Sequence, residues 1–162
     1  MNRFETFSLA IFDISRCWHK IAAEELGRFG LRSAHAIYLT TLLRYPEGVT
    51  APKLGELCGR DKADVSRMTA ILEEHGMLAK EGGHQNQYRG SWKLTDRGLE
   101  VAREIRKRAE LAVELAGGEL SEEERSSFYQ VLERIAGNLR RISREGLQDP
   151  ARSVEGNEER WQ

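Results

Sequence analysis

The sequence predicts a mainly α-helical protein with a small two- or three-stranded β wing. Three observations carry that prediction. Apolar residues recur at helical spacing through 4–29, 96–116 and 121–144. Short helical stretches punctuated by Pro and Gly fill 33–76. Two brief segments, Met77–Glu81 and Ser91–Leu94, read as strands joined by a polar, Gly-containing turn.

Composition bounds the class. The chain has 162 residues, 40% hydrophobic and 31% charged, which suits one soluble globular domain or a small domain with an appendage. A formal net charge of -1 excludes a generally basic, nonspecific nucleic-acid binder but leaves room for a local basic surface. No apolar run approaches membrane-spanning length, and the N-terminus does not read as a signal peptide. Cys17 and Cys58 lie far apart without a Cys-x-x-Cys pair, as expected of reduced thiols in a cytoplasmic protein. Only 3 prolines occur, which permits long helices.

Each element has a local reason. In the first helix Phe4, Phe7, Ile11, Ile14, Trp18 and Ile21 form a heptad-like seam, while Leu9 and Phe12 lie off it. A helix apolar on more than one side needs cover on more than one side, and a partner subunit is the economical source. Gly30 breaks that pattern. Ser33 then starts a second helix through about Arg44, with Ala36, Ile37, Thr40 and Leu43 expected to face the core. Thr50 is the expected N-cap of "APKLGELC", with Pro52 in its first turn. "GRD" is a tight turn. A further helix runs from about Lys62 to His75, with Asp61 as N-cap and Gly76 placed to end it in a left-handed conformation.

Within that helix Val65, Met68 and Leu72 are expected to face inward, and Lys62, Ala63, Ser66, Arg67 and Ala70 outward. Asp61 and Asp64 sit beside unpaired N–H groups and the positive end of the helix dipole, so capping alone would explain both. Thr95 caps the long helix 96–116, and Ser121 with Glu124 makes a capping box for the last one. That last helix carries Phe128, Val131, Leu132, Ile135, Leu139 and Ile142 as its apolar stripe. From Glu145 the pattern stops, and 145–162 reads as an acidic, disordered tail.

Helix, helix, helix, then a two-stranded ribbon is the order of a winged helix-turn-helix. "VTAPKLGELCGRDKADVSRMTAILEEHGMLAKE" followed by "WKLTDRG" makes the chain resemble the MarR family of transcriptional regulators over residues 4–144. The resemblance implies a winged helix-turn-helix plus a helical dimerisation domain. Residues 33–95 would be the DNA-binding part, and 4–32 with 96–144 the dimerisation part. It implies a homodimer binding double-stranded DNA at a pseudo-palindromic operator, as a repressor released by a small-molecule effector. It also implies an Asp-x-Arg or Asp-Arg-Arg group in the ribbon. Here that region is "NQYRGSWKLT", with Asn86 or Gln87 near the usual Asp and Arg89 as the only arginine.

The expected DNA-binding residues are therefore Thr50, Lys62, Ala63, Ser66, Arg67 and Arg89. Arg67 is the base reader, since a guanidinium can bond a guanine edge in bidentate fashion; Ser66 and Lys62 suit phosphates. Taken without their context, the same residues would be an ordinary solvated helix face. Trp18, His35 and Tyr38 either line the effector site that the resemblance implies or simply pack two helices together. Trp92 is read as packing the ribbon against the helices, although a stacking platform is open to it. Cys17 is expected to be packed beside Trp18, and Cys58 to be a small core residue. No catalytic constellation, metal-ligand spacing or cofactor motif is seen, so neither an enzyme nor a cofactor is expected. The alternative reading is a winged-helix dimer that binds protein or a small molecule without DNA. The near balance of eight basic and seven acidic residues in 50–98 keeps it open.

Overall fold

The computed structural model describes residues 2–82 and 90–147. Arg89, Asn86 and Gln87 of the ribbon, and the tail beyond Leu147, lie outside the described residues. Contacts divide the chain into two compact units, Met1–Val113 and Glu114–Gln162.

In the first unit α1 spans Arg3–Gly27 and opens with a capping box between Asn2 and Glu5. A 3-10 turn, Ser33–His35, leads into α2, Ala36–Leu42. Then come β1 (Val49–Thr50), α3 (Ala51–Cys58), α4 (Lys62–Glu74), β2 (Leu78–Glu81) and β3 (Ser91–Leu94). Helix α5, Asp96–Ala116, follows and crosses into the second unit.

The three strands form an antiparallel sheet in the order β1-β3-β2. Val49 pairs with Trp92 and Leu78 with Leu94, which sets the wing against the helices. Trp92 is buried in that layer, as expected of a packing residue, and the Lys80 ammonium lies 5.7 Å from its ring centroid.

Tyr38, Leu39, Leu42, Leu54, Val65 and Leu72 centre the core, closed on one side by Val101, Ala102 and Ile105 of α5. The inward face of α2 is only partly the expected one: Ala36 and Leu43 pack against the core as expected. Ile37 is exposed, Thr40 half-buried, and Tyr38, Leu39, Thr41 and Leu42 turn inward. The 3-10 turn Ser33–His35 resets the phase, so counting one α-helix from Ser33 misplaces Ile37 and Thr40. Thr50 holds the N-cap position of α3 in an extended conformation, but its side chain makes no capping bond.

Where α5 meets the wing, Thr95 ties three segments together. Its hydroxyl donates to the Gly76 carbonyl (2.6 Å) and accepts from the Gly98 N–H (3.0 Å). Gly98 allows this approach, because a Cβ there would drive into the carbonyl oxygen of Met77. Gly76 adopts φ +68°, the left-handed end expected for α4.

Much of α1 is uncovered in the single chain. Phe4, Phe12 and Ile14 are 74%, 74% and 60% exposed, and Leu9, Ile11 and Trp18 are exposed too. Cys17 is exposed rather than packed, because the neighbouring turns of α1 face solvent as well.

The second unit contains α6, Glu122–Glu145, started by the Ser121–Glu124 capping box. Arg125 closes the preceding turn by donating to Glu114 (2.9 Å) and to the Gly117 carbonyl (3.1 Å). No residue of α6 is buried, and Phe128, Val131, Leu132 and Leu139 are exposed.

Candidate nucleic-acid interface

The outer face of α4 is polar because its inner face takes the apolar residues. Val65 and Leu72 are buried, Met68 half-buried, and Thr69 joins them by donating its hydroxyl back to the Val65 carbonyl (2.8 Å). Lys62, Ala63, Ser66, Arg67 and Ala70 are exposed. The helix-turn-helix thus brings Lys62, Ala63, Ser66 and Arg67 onto one exposed face. Thr50 is exposed at the start of α3, the helix packed on α4.

The two aspartates at the leading end of α4 have different occupations. Asp61 is the cap: its carboxylate accepts from the Asp64 N–H (2.8 Å). Asp64 instead turns its carboxylate to other side chains. Its Oδ2 accepts from the Tyr38 hydroxyl (2.8 Å), and its Oδ1 accepts from Arg67 Nη2 (3.0 Å). Arg60 Nε stands 3.9 Å from Oδ2. The Tyr38 hydroxyl, followed by Arg67, holds the Asp64 carboxyl below the usual carboxylate range. Burial and the adjoining carboxylate push the Tyr38 phenol well up. The spacing of Arg60 and Arg67 about Asp64, i,i+4 and i,i+3, was visible in the sequence. The Tyr38 contact spans 26 residues and had no local signal.

A cavity of about 350 Å³ lies among α1, α2 and α5. Trp18, Ile21, Ile37, Thr40, Arg60 and Arg108 are among its walls. Of the expected effector residues only Trp18 is there. Tyr38 is fully buried on the opposite side of α2, where it meets Asp64. His35 is buried as well: its Nδ1 accepts from the Arg32 N–H (2.9 Å), and its Nε2 has no hydrogen-bond partner among the described residues. Desolvation lowers its pKa. Ile37 and Thr40, expected in the core, form the wall instead. Arg108 donates to Glu25 (2.9 Å), tying α5 to α1 beside the cavity. Arg60 belongs both to the cavity wall and to the surroundings of Asp64.

Cys58 is the small core residue expected of it; its thiol donates toward Thr41 Oγ1 (3.7 Å), and burial raises its pKa. Among the described residues no His/Cys/Asp/Glu group could hold a metal ion, and no helix is long and apolar enough to cross a membrane.

No protein-family model matches the chain. It is 26% identical over 128 residues to the uncharacterized HTH-type transcriptional regulator YybA of Bacillus subtilis (strain 168), covering 79% of this chain and 85% of that protein. Among solved structures, MarR is 28% identical with a TM-score of 0.73, over 90% of this chain and 98% of the other. The transcriptional regulator SlyA is 25% identical with a TM-score of 0.74, over 82% and 93%. A complex of S. aureus MepR with DNA aligns at a TM-score of 0.73 and 20% identity, over 82% and 97%, and supports the fold alone. The chain has the winged helix-turn-helix fold of the MarR-family transcriptional regulators and resembles them over most of its length.

Proposed function

We propose that the chain is a sequence-specific DNA-binding transcriptional regulator. It acts as a homodimer on a pseudo-palindromic operator, as a repressor that a small-molecule effector releases. The observation that carries the DNA reading is the outer face of α4, where Lys62, Ser66 and Arg67 are exposed without a large apolar neighbour. Arg67 reads a base in the major groove, Lys62 and Ser66 meet phosphates, Ala63 allows close approach, and Thr50 offers a phosphate contact from α3. Arg89 is assigned the wing contact on sequence grounds. That a protein of the same fold, MepR of S. aureus, forms a complex with DNA is in keeping with the DNA-binding reading.

The dimer reading rests on the uncovered apolar face of α1, a surface that a folded monomer rarely leaves to water. Residues 4–32 and 96–144 supply it, leaving 33–95 for DNA. The effector reading rests on the cavity beside α2 and on Arg60, which faces both that cavity and Asp64. A ligand there acts only by binding one arrangement of the recognition helices better than the other.

The balanced charge of 50–98 favours a second reading, a protein-interaction module. Against it, no large apolar side chain among the described residues from 46 to 110 is exposed, and a protein interface needs such anchors.

Selection from random duplex DNA at two salt concentrations tests the proposal. An enriched pseudo-palindrome with salt-sensitive affinity is expected. Absence of any enriched sequence at low salt would sink it.

A further inference from the structure

Tyr38 poses a question that packing does not answer. Its ring fills the centre of the core, fully buried, and a phenylalanine would fill the same space. A buried hydroxyl needs a partner, and this one reaches Asp64 Oδ2 at 2.8 Å. The other oxygen of that carboxylate accepts from Arg67 Nη2 at 3.0 Å. The Asp64 backbone is held too, by the capping bond to Asp61 at 2.8 Å. Asp64 is therefore fixed at its N–H and at one carboxylate oxygen, and its free oxygen is directed at Arg67.

Arg67 is the opposite case. Its side chain is 69% exposed, so packing does little to order it. A long exposed side chain loses much rotamer freedom when it docks, and a bond that orders it beforehand reduces that loss. The bond to Asp64 uses one Nη2 hydrogen. The second Nη2 hydrogen and those of Nη1 remain for an end-on approach, the pair that a guanine edge accepts. Arg60, 3.9 Å from Oδ2, adds a second positive charge to the carboxylate, so its charge is covered before any phosphate approaches.

From this geometry we infer that Tyr38 and Asp64 are positioning residues for Arg67, and that they govern base discrimination rather than general affinity for DNA. The inference rests on the DNA-binding reading above. It assigns a core tyrosine with no exposed surface to sequence choice.

The test compares the wild-type chain with Tyr38→Phe and Asp64→Asn. Affinity is measured on the selected operator, on the operator changed at the base that Arg67→Ala ceases to distinguish, and on unrelated duplex. Tyr38→Phe removes one hydroxyl from a filled core, and Asp64→Asn leaves the core untouched; thermal melting checks that both fold. The ratio of operator to changed-operator affinity is expected to fall about tenfold or more in each variant, the effect of losing one hydrogen bond to a charged group. Affinity for unrelated duplex should hold in Tyr38→Phe. In an Arg67→Ala background neither substitution should change the ratio further.

An unchanged ratio in both folded variants would overturn the inference. So would an equal loss in the Arg67→Ala background, since that marks a general structural effect. A wild-type chain that prefers no sequence would instead remove the DNA reading itself, and the positioning role with it.

Discussion

Arg67 and Lys62 share an exposed helix face but carry different expectations, because one is assigned to a base and the other to phosphate. Arg67→Ala should cost about 1–3 kcal/mol in specific binding and relax preference at one position per half-site. Lys62→Ala should weaken binding to every sequence about evenly and reduce the salt slope by about one. Titration against salt on two operators separates the two, and an unchanged sequence preference in Arg67→Ala would remove its base-reading role. His35 makes a different residue-scale prediction. Its Nδ1 accepts from the Arg32 N–H, so the neutral ring carries its proton on the buried Nε2. Burial lowers its pKa below the ordinary 6.5. The unfolded chain then takes up a proton before the folded one does as pH falls. Stability is therefore full above the ordinary histidine range and declines as pH drops through it toward the lowered value. His35→Asn keeps an acceptor for the Arg32 N–H without titrating there. Melting curves across that window should be flatter in the variant, and equal slopes would show that another group controls the decline.

Elements are held to one another here by a few contacts that tolerate no extra atom. Gly98 lies in the first turn of α5 against the Met77 carbonyl, where backbone rather than a movable side chain blocks a Cβ. Gly98→Ala should therefore destabilise the fold by about 1–3 kcal/mol or more, as overpacking does, although alanine is the better helix former. Chemical denaturation measures it, and a neutral or stabilising result would mean that α5 and the wing can move apart. "LTDRG" was legible as a motif in the sequence, but the reason for its glycine was not, since Met77 is 21 residues away. The same division runs through the other elements. Caps at Asp61, Thr95 and Ser121 were readable because a cap and its partner lie about three residues apart. The inward face of α4 was readable from its long apolar repeat, with Thr69 overlooked because its hydroxyl is satisfied within the helix. The face of α2 was read only in part, with Ile37 and Thr40 misplaced, because seven residues after a 3-10 turn carry too little period to fix the phase. That misreading also hid the cavity wall and the Tyr38–Asp64 bond, both of which depend on which way α2 is turned.

At the scale of the whole molecule the open question is what covers α1. Burying a large apolar side chain is worth about 1.5–3 kcal/mol, and α1 exposes eight: Phe4, Phe7, Leu9, Ile11, Phe12, Ile14, Trp18 and Ile21. Association must first offset lost translational and rotational freedom, so only a face of this extent gives a stable pair. In the proposed dimer the two α4 helices then serve successive major grooves, about 34–36 Å apart. Phe12→Glu is the discriminating change. Phe12 is 74% exposed in the single chain, so a carboxylate there should leave the buried core around Tyr38 and Leu72 intact. In a dimer the same carboxylate would have to leave water without a partner, a burial far more costly than the lost apolar contact. The wild-type chain is expected to sediment as a dimer, and the variant as a folded monomer with the same melting of its core. Operator affinity should collapse with the dimer, because each half-site alone offers only one helix's contacts. A variant that stays dimeric would place the interface elsewhere, and a wild-type monomer that binds the full operator tightly would leave the apolar face of α1 without the role assigned to it.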